Sequence, residues 1–270
     1  MIKPKSGTAS RVFSSPEAIG KDVAEQLLAG FENARKAGRQ FVLGCPTGRT
    51  PRPIYGALAK RIAETRHDIS HLIIVMMDEY LVKTSSGFEY ASPDAPWSCH
   101  NFVQVEITRR WNQDLPRGRR LEDGAVWFPD PSDPAAYDKR ISGAGGVDFF
   151  ILASGASDGH VAFNPPDSPR ESRTRIIELP ESTRRDNLQT FPAFGSLASV
   201  PTHGISVGIA TISSAKRAAM VLWGKSKAVS FDRVAAVNHY EPDWPATVIH
   251  ECSSGEILSD TDAASRPGKP

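Results

Sequence analysis

Three short segments combine acidic, basic or hydroxyl side chains with small residues, and each follows an apolar run. The first, Asp158-Gly159-His160, places an imidazole two residues after a carboxylate. A histidine that is oriented by a carboxylate can pass a proton to a substrate oxygen. A single Asp-Gly-His triplet is a weak signal, and the same residues would suit a turn in which Asp158 caps the backbone and His160 is a satisfied loop histidine.

The second segment, Asp78-Glu79, places two carboxylates at the end of an apolar run. Successive side chains of an extended chain point to opposite sides, so one acid should face a cleft while the other faces the protein. A carboxylate in such a cleft can act as a general base. The alternative is that the pair caps a helix or forms a salt bridge.

The third segment, Thr47-Gly48-Arg49-Thr50, lies between an apolar run and a predicted helix. Thr50 is predicted as the N-cap of that helix and Pro51 as its first residue. Free N–H groups at a helix N-terminus, together with a guanidinium, favour the binding of an anion. The segment is not a P-loop, because the GxxxxGK[ST] spacing is missing, and a plain strand-to-helix turn is the alternative.

The elements that must position these segments follow from the apolar pattern. Continuous apolar runs indicate strands buried on both faces, and apolar residues recurring every three or four positions indicate helices. The predicted elements are strand 11–13, helix 14–37, strand 40–45, helix 51–65, strand 72–77, helix 98–110, strand 127–128, helix 134–141, strand 147–153, strand 174–179, strand 218–223 and helix 226–237. This alternation predicts a doubly wound, Rossmann-like α/β fold with a mostly parallel sheet and helices on both faces. Ligands bind at the carboxyl ends of such strands, so the three segments should converge.

The rest of the organisation is predicted from composition and from turn-rich stretches. One domain is expected over residues 11–260, with flexible tails at 1–10 and 261–270. The polar stretch 82–96 is too long for a simple connection and is predicted to be a lid or a binding loop.

Charge and cysteine content exclude several classes of protein. The 270 residues carry a net charge of +1, which gives no general attraction to nucleic acid or to acidic membranes. The three cysteines contain no CxxC pair, so neither a disulfide framework nor a zinc site is indicated. The N-terminus lacks an apolar leader, and no apolar run approaches the roughly 20 residues of a membrane helix. We therefore predict a cytoplasmic protein without a nucleic-acid or membrane partner.

Five segments together occur in the order and spacing of the glucosamine-6-phosphate deaminase family, which shares its fold with 6-phosphogluconolactonases. They are PTGRTP at 46–51, MDEY at 77–80, HNF at 100–102, DGHVAFN at 158–164 and SRTR at 172–175. The chain resembles this family from about residue 12 to residue 258. It is less similar to the lactonase branch, which carries Gly-Asp-Glu-Arg where this chain has the MDEY segment.

The resemblance implies an enzyme that opens a sugar ring and then moves a proton between C1 and C2 through an enediol or enolamine. It assigns the proton transfer to Asp78, and Glu79 is the alternative base if the strand ends one residue later. It assigns ring opening to His160, which Asp158 orients. The implied mechanism requires no metal and no organic cofactor, and the implied partner is a small anionic sugar; assembly into a homo-oligomer is left open.

The resemblance also implies where the anion of the sugar binds. It places this group on the loop formed by Thr47, Gly48, Arg49 and Thr50, with Gly155 and Lys227 nearby. Two positions depart from the family. Pro165 stands where the deaminases have a glutamate that completes the catalytic set, and Gln189 stands where they have an arginine that grips the phosphate.

The exchange of charges around the anion leads to a prediction about specificity. A neutral amide at position 189 should weaken a dianion more than a monoanion, so the preference for a 6-phosphate over a 6-sulfonate should be reduced, and Arg49 should be the dominant charged contact. The predicted function is aldose-ketose isomerisation of an anionic hexose, with or without loss of ammonia. The alternatives are isomerisation of a 6-sulfonated hexose, hydrolysis of a lactone, and non-catalytic sensing of a sugar phosphate.

Overall fold

The computed structural model describes residues 8–265, and a parallel sheet forms the centre of this region. The strands are β1 (Ala9–Phe13), β2 (Phe41–Cys45), β3 (Leu72–Met76), β4 (Asp78–Thr84), β5 (Gly87–Tyr90), β6 (Val126–Trp127), β7 (Phe149–Ala153), β8 (Arg175–Glu178), β9 (His203–Ser206), β10 (Ala218–Leu222) and β11 (Gly255–Asp260). Seven strands pair in the order β1-β11-β10-β7-β2-β3-β6, and every pairing is parallel.

Helices cover both faces of this sheet. They are α1 (Pro16–Lys36), α2 (Arg52–Thr65), α3 (Cys99–Val103), α4 (Arg109–Asn112), α5 (Pro134–Gly143), α6 (Glu181–Thr190), α7 (Ile209–Ser213), α8 (Ala228–Ala235) and α9 (Thr261–Ala264). A π-helical turn joins α3 to α4, so this region is the helix predicted over 98–110. Alternate strand residues pack against α1 to α3 on one face and against α5, α7 and α8 on the other. The predicted doubly wound α/β architecture is therefore confirmed.

A second, antiparallel sheet was not predicted. It has the strand order β5-β4-β9-β8. Only Met77 separates β3 from β4, and its carbonyl accepts the N–H of Val207 at 2.8 Å. Asp78 and Glu79 therefore begin a strand of the second sheet instead of ending a strand of the first. The predicted lid at 82–96 contains the end of β4 and the whole of β5, which pair as a hairpin, and the strand predicted at 174–179 belongs to the second sheet.

The predicted tails are shorter than the sequence suggested. Strand β1 begins at Ala9 and pairs with residues 256–260 of β11, a strand that was not predicted. After β11, Asp260 caps α9 by accepting the N–H of Ala263 at 2.8 Å. Residues 9–10 and 261–264 are thus parts of the fold, while residues 1–7 and 266–270 of the predicted tails lie outside the described residues. Within 8–265, no helix has the length and apolar character needed to cross a membrane.

Candidate active site

A cleft opens at the carboxyl ends of β2, β3, β7 and β10, as the topology requires. Helix α6 forms one of its walls. Most of the predicted site residues line this cleft, namely Thr47, Gly48, Arg49, Thr50, Asp78, Gly155, His160, Gln189 and Lys227. The structure therefore brings together residues that lie as far apart as positions 47 and 227.

Asp78 presents a buried carboxylate to the cleft. It is 5% exposed, because it lies at the buried start of β4, where the chain passes from the first sheet to the second. Burial raises the pKa of Asp78 to about 7, against the opposing effects of a hydrogen bond from Cys99 and the charge of His160. A carboxyl group with a pKa near neutral pH can both accept and return a proton under physiological conditions.

Glu79, the neighbouring acid, faces away from the cleft. Its Oε1 accepts the N–H groups of Tyr80 and Cys99 at 2.8 and 3.1 Å. Its Oε2 accepts the Ser98 hydroxyl at 3.0 Å, together with the backbone N–H and the ring Nδ1 of His100 at 2.9 and 2.6 Å. The carboxylate thus holds the first turn of α3 and is fully buried. The structure contradicts the prediction of Glu79 as an alternative base, since both of its oxygens are occupied by the protein.

Asp158 orients His160. Its Oδ1 lies 2.6 Å from Nδ1 of the imidazole, and its Oδ2 accepts the hydroxyls of Ser182 and Thr183, each at 2.8 Å. Burial opposes ionisation, but the hydrogen bond and the charge of His160 outweigh it and hold the pKa of Asp158 well below its usual value. An ionised acceptor keeps the proton of the imidazole on Nδ1, so Nε2 is the nitrogen left to exchange a proton with a ligand.

Two glycines make room for this pair. A Cβ at Gly155 would lie 2.2 Å from His160 Nδ1 and 2.6 Å from Asp158 Oδ1. Gly159 has a φ of +67°, and a Cβ there would lie 2.4 Å from the ring of Trp244. The Asp-Gly-His segment therefore needs glycine for both its backbone conformation and its packing. Gly155 lines the cleft, where its lack of a side chain allows the Asp158–His160 contact.

The loop from Thr47 to Thr50 lines the cleft next to the end of α6, where a Cβ at Gly48 would lie 3.2 Å from the side chain of Thr190. The predicted cap is wrong: α2 begins at Arg52, its N-cap position is Pro51, and no side chain caps it. Thr50 instead accepts the indole N–H of Trp223 through its backbone carbonyl at 3.0 Å. The Arg49 side chain is exposed and makes no hydrogen bond or ion pair within residues 8–265. It is therefore available to an anion in the cleft.

Lys227 supplies a second cation to the same cleft. It ends a 3₁₀ turn that follows β10, and its Nζ donates to the backbone carbonyl of Ser154. Burial lowers the pKa of Lys227 to about 8. An ammonium group that is short of water gains more than an exposed one from an anionic ligand.

Helix α6 carries site residues that the sequence did not reveal. Asp186 lines the cleft, and its Oδ2 accepts the N–H groups of Ala156 and Ser157 at 2.9 and 3.1 Å, which holds the loop after β7. Asp186 lies one helical turn after Ser182 and Thr183, the two residues that bind Asp158. The segment ESTRRDNLQT contains one apolar residue, so hydrophobic periodicity could not identify it; hydroxyl and acidic residues at a spacing of three or four were the available signal.

Three potential metal ligands lie close together at the cleft. One ligand atom from each of Asp158, His160 and Asp186 lies within 4.8 Å of the others. Both oxygens of Asp158 are already occupied by the imidazole and two hydroxyls, which leaves this group poorly suited to a metal.

Pro165, at the position of the family glutamate, does not line the cleft, and its carbonyl accepts the Ser168 hydroxyl at 2.7 Å.

A family match agrees with this arrangement. The sequence model of the family described as glucosamine-6-phosphate isomerases/6-phosphogluconolactonase matches residues 14–258. The chain belongs to this family. Among its members, a glucosamine-6-phosphate deaminase of Beutenbergia cavernae is 34% identical, over 83% of this chain and 81% of that protein. A glucosamine-6-phosphate isomerase of Candida albicans is 30% identical, over 96% of this chain and 98% of that protein.

Solved structures of the glucosamine-6-phosphate isomerase/6-phosphogluconolactonase family show the same fold. A monomeric glucosamine-6-phosphate deaminase superposes with a TM-score of 0.80 and 26% identity, covering 96% of this chain and all of that one. A 6-phosphogluconolactonase from Leishmania guyanensis gives a TM-score of 0.67 at 16% identity, covering 96% and 98% of the two chains. The family predicted from the motifs is thereby confirmed.

Proposed function

We propose that this chain is an aldose-ketose isomerase that acts on a hexose bearing an anionic group at C6. The observation that carries the proposal is Asp78: a buried carboxylate with a pKa near 7 lies in the same cleft as an imidazole oriented by Asp158. A protein that only sensed the sugar would need the anion-binding loop but not a base. Relatives named as deaminases make an amino sugar 6-phosphate the first candidate substrate.

The geometry supports two proton transfers in sequence. His160 Nε2, with Nδ1 held by Asp158, exchanges a proton with the ring oxygen and the C1 hydroxyl, which opens the ring. Asp78 then removes the proton from C2. The electron pair of that C–H bond forms the C1–C2 double bond while the π pair of the C1 aldehyde moves onto O1, which takes up a proton and gives an enediol or enolamine. Asp78 then returns its proton to C1, and the hydroxyl or amino group at C2 loses a proton as the C2 carbonyl or imine forms. The raised pKa of Asp78 suits both halves of this step.

The charged rim supports the binding of a terminal anion. Arg49 and Lys227 both line the cleft, and the loop that carries Arg49 offers backbone N–H groups. Gln189 is exposed on α6 and offers only an amide. We therefore propose that the preference for a 6-phosphate over a 6-sulfonate is reduced, and that Arg49 is the dominant charged contact of the anion. Assembly into a homo-oligomer also remains a proposal, and one structural relative is described as monomeric.

A substrate comparison tests the proposed function. The purified chain is incubated with glucosamine 6-phosphate, glucose 6-phosphate and glucose bearing a 6-sulfonate, and ketose formation and ammonia release are followed by NMR and by a coupled assay. Hydrolysis of 6-phosphogluconolactone is measured in parallel. Ketose formation from at least one aldose supports the proposal. Lactone hydrolysis alone, or binding of these sugars without turnover, would refute it.

A further inference from the structure

Cys99 lies directly beneath the cleft, and the proposed mechanism does not use it. It is the first residue of α3 and is 1% exposed. Its Sγ lies 3.4 Å from Oδ1 of Asp78 and 3.7 Å from Oγ1 of Thr47. The thiol therefore lies between the proposed base and the anion-binding loop, in contact with one residue of each.

The chemistry of the three groups fixes the direction of these contacts. Burial and the nearby charges of Glu79 and Asp78 hold the pKa of the Cys99 thiol well above its usual value, so the group remains S–H. An ionised carboxylate can only accept, which makes the thiol the donor to Asp78. With the thiol hydrogen directed at Asp78, the sulfur can accept a hydrogen bond from the hydroxyl of Thr47. The result is a chain of hydrogen bonds from Thr47 through Cys99 to Asp78.

We propose that Cys99 is a positioning residue, which orients the carboxylate of Asp78 and connects it to the anion-binding loop through Thr47. The inference rests on the proposed function in so far as Asp78 is the base. Thr47 lines the cleft, so an anion that accepts its hydroxyl withdraws that hydroxyl from the sulfur. Occupation of the anion site then alters the environment of the base through Cys99, without any contact between the anion and Asp78.

The proposal predicts that Cys99 variants move the pKa of Asp78 in a defined order. A hydrogen bond to the charged form of a carboxyl group lowers its pKa. Cys99→Ala removes that donor and should raise the pKa of Asp78 by about 0.5 to 1 unit, given the usual strength of one hydrogen bond. Cys99→Ser keeps a donor of similar size and should hold the pKa at or below that of the unmodified protein.

The pKa is measured without substrate, by infrared titration of the protonated carboxyl band that is absent from Asp78→Asn. The acidic limb of the pH profile of kcat/KM gives a second reading in the active enzyme. Cys252→Ala is the matched control: this cysteine is also buried, but its Sγ contacts the carbonyls of Ile212 and Val248 in the core on the other face of the sheet. The control should lose some stability and leave both readings unchanged.

The outcomes separate this inference from the proposed function. A rise in the Asp78 pKa in Cys99→Ala, absent in Cys99→Ser and Cys252→Ala, supports the positioning role. An unchanged pKa in Cys99→Ala, with only a loss of stability, overturns it while leaving Asp78 as the base. Full activity of Asp78→Asn would instead overturn the proposed function. If Cys99→Ala does not fold, infrared spectroscopy gives a second test. The S–H stretching band of Cys99 is assigned by its absence from Cys99→Ser, and the inference requires that this band shift in Asp78→Asn. An unshifted band also overturns the inference.

Discussion

Asp78 and Glu79 are adjacent and chemically alike, yet the fold gives them opposite environments. Alternation along the chain turns Asp78 towards the cleft and Glu79 towards the first turn of α3. Glu79 is satisfied by hydrogen-bond donors, whereas Asp78 has one weak S–H donor and little water. Asp78 therefore carries a cost of ionisation that the protein does not offset, which is the property that a general base at neutral pH requires.

This cost predicts how Asp78→Asn changes stability with pH. The folded pKa of about 7 exceeds the ordinary 3.8, so the folded state holds its proton longer, and the free energy of unfolding falls as pH rises between these values. Asn removes the titration. The variant should be more stable than the unmodified protein at pH 8. The difference in their free energies of unfolding should be larger at pH 8 than at pH 5 by on the order of 2 to 3 kcal/mol. Urea unfolding at both pH values measures this difference, and the exposed Asp94→Asn serves as control.

Equal changes in stability at pH 5 and pH 8 would show that Asp78 ionises normally. The sequence could indicate that one of the two acids faces a cleft, because alternation in an extended chain is a local property. It could not indicate which one, because that depends on α3 and Cys99, some twenty residues further along the chain.

At the scale of elements, the hydrophobic pattern did not reveal that β3 and β4 belong to different sheets. The run from Leu72 to Val82 is apolar except for the two acids, and nothing in it marks the passage from one sheet to the other at Met77. The hairpin and β8 were missed as a sheet because their strands are short and partly exposed, so their polar residues resemble those of loops. The parallel strands were predicted correctly because burial on both faces leaves continuous apolar runs.

The junction between β4 and α3 gives a prediction for Glu79→Gln. This change preserves size but replaces one oxygen by an NH₂ group and removes the charge that holds His100 and the N–H groups of α3. We expect a loss of about 1 to 3 kcal/mol in the free energy of unfolding, because buried donors then lack an acceptor. Chemical denaturation measures the loss, and Glu89→Gln on the exposed side of the same hairpin should show none.

Turnover by the folded fraction of Glu79→Gln should persist. If this variant instead kept its stability and lost turnover as completely as Asp78→Asn, the roles of the two acids would have to be exchanged.

At the scale of the whole molecule, charge is distributed unevenly although its sum is near zero. Arg49 and Lys227 are supplied by loops at opposite ends of the chain and meet across one cleft. The sequence predicted this convergence, because parallel strands place their carboxyl ends at one edge. It did not predict α6, whose polar residues complete the site. We propose that the single domain predicted over residues 11–260 extends to residues 9–264, since the two sheets join at Met77 and β1 and α9 belong to the same fold.

Arg49→Ala tests how the anion is held. Loss of a charged hydrogen-bond donor should weaken the binding of every C6-anionic sugar about tenfold or more, and the phosphate dianion more than the sulfonate monoanion. Isothermal titration with each sugar measures the effect. Lys225→Ala is the control, because this lysine is exposed in the same 3₁₀ turn as Lys227 but does not line the cleft. Affinity that is unchanged in Arg49→Ala would place the anion away from this loop.

The central claim is that Asp78 carries a proton between C1 and C2, and isotope exchange tests it most directly. The substrate aldose is incubated with the enzyme in D₂O, and deuterium at C2 of recovered aldose and at C1 of the ketose is measured by NMR and mass spectrometry. We predict that deuterium enters both positions with the unmodified chain and that Asp78→Asn, although it binds the sugar, incorporates none. Isomerisation or exchange that persists in Asp78→Asn would contradict the account.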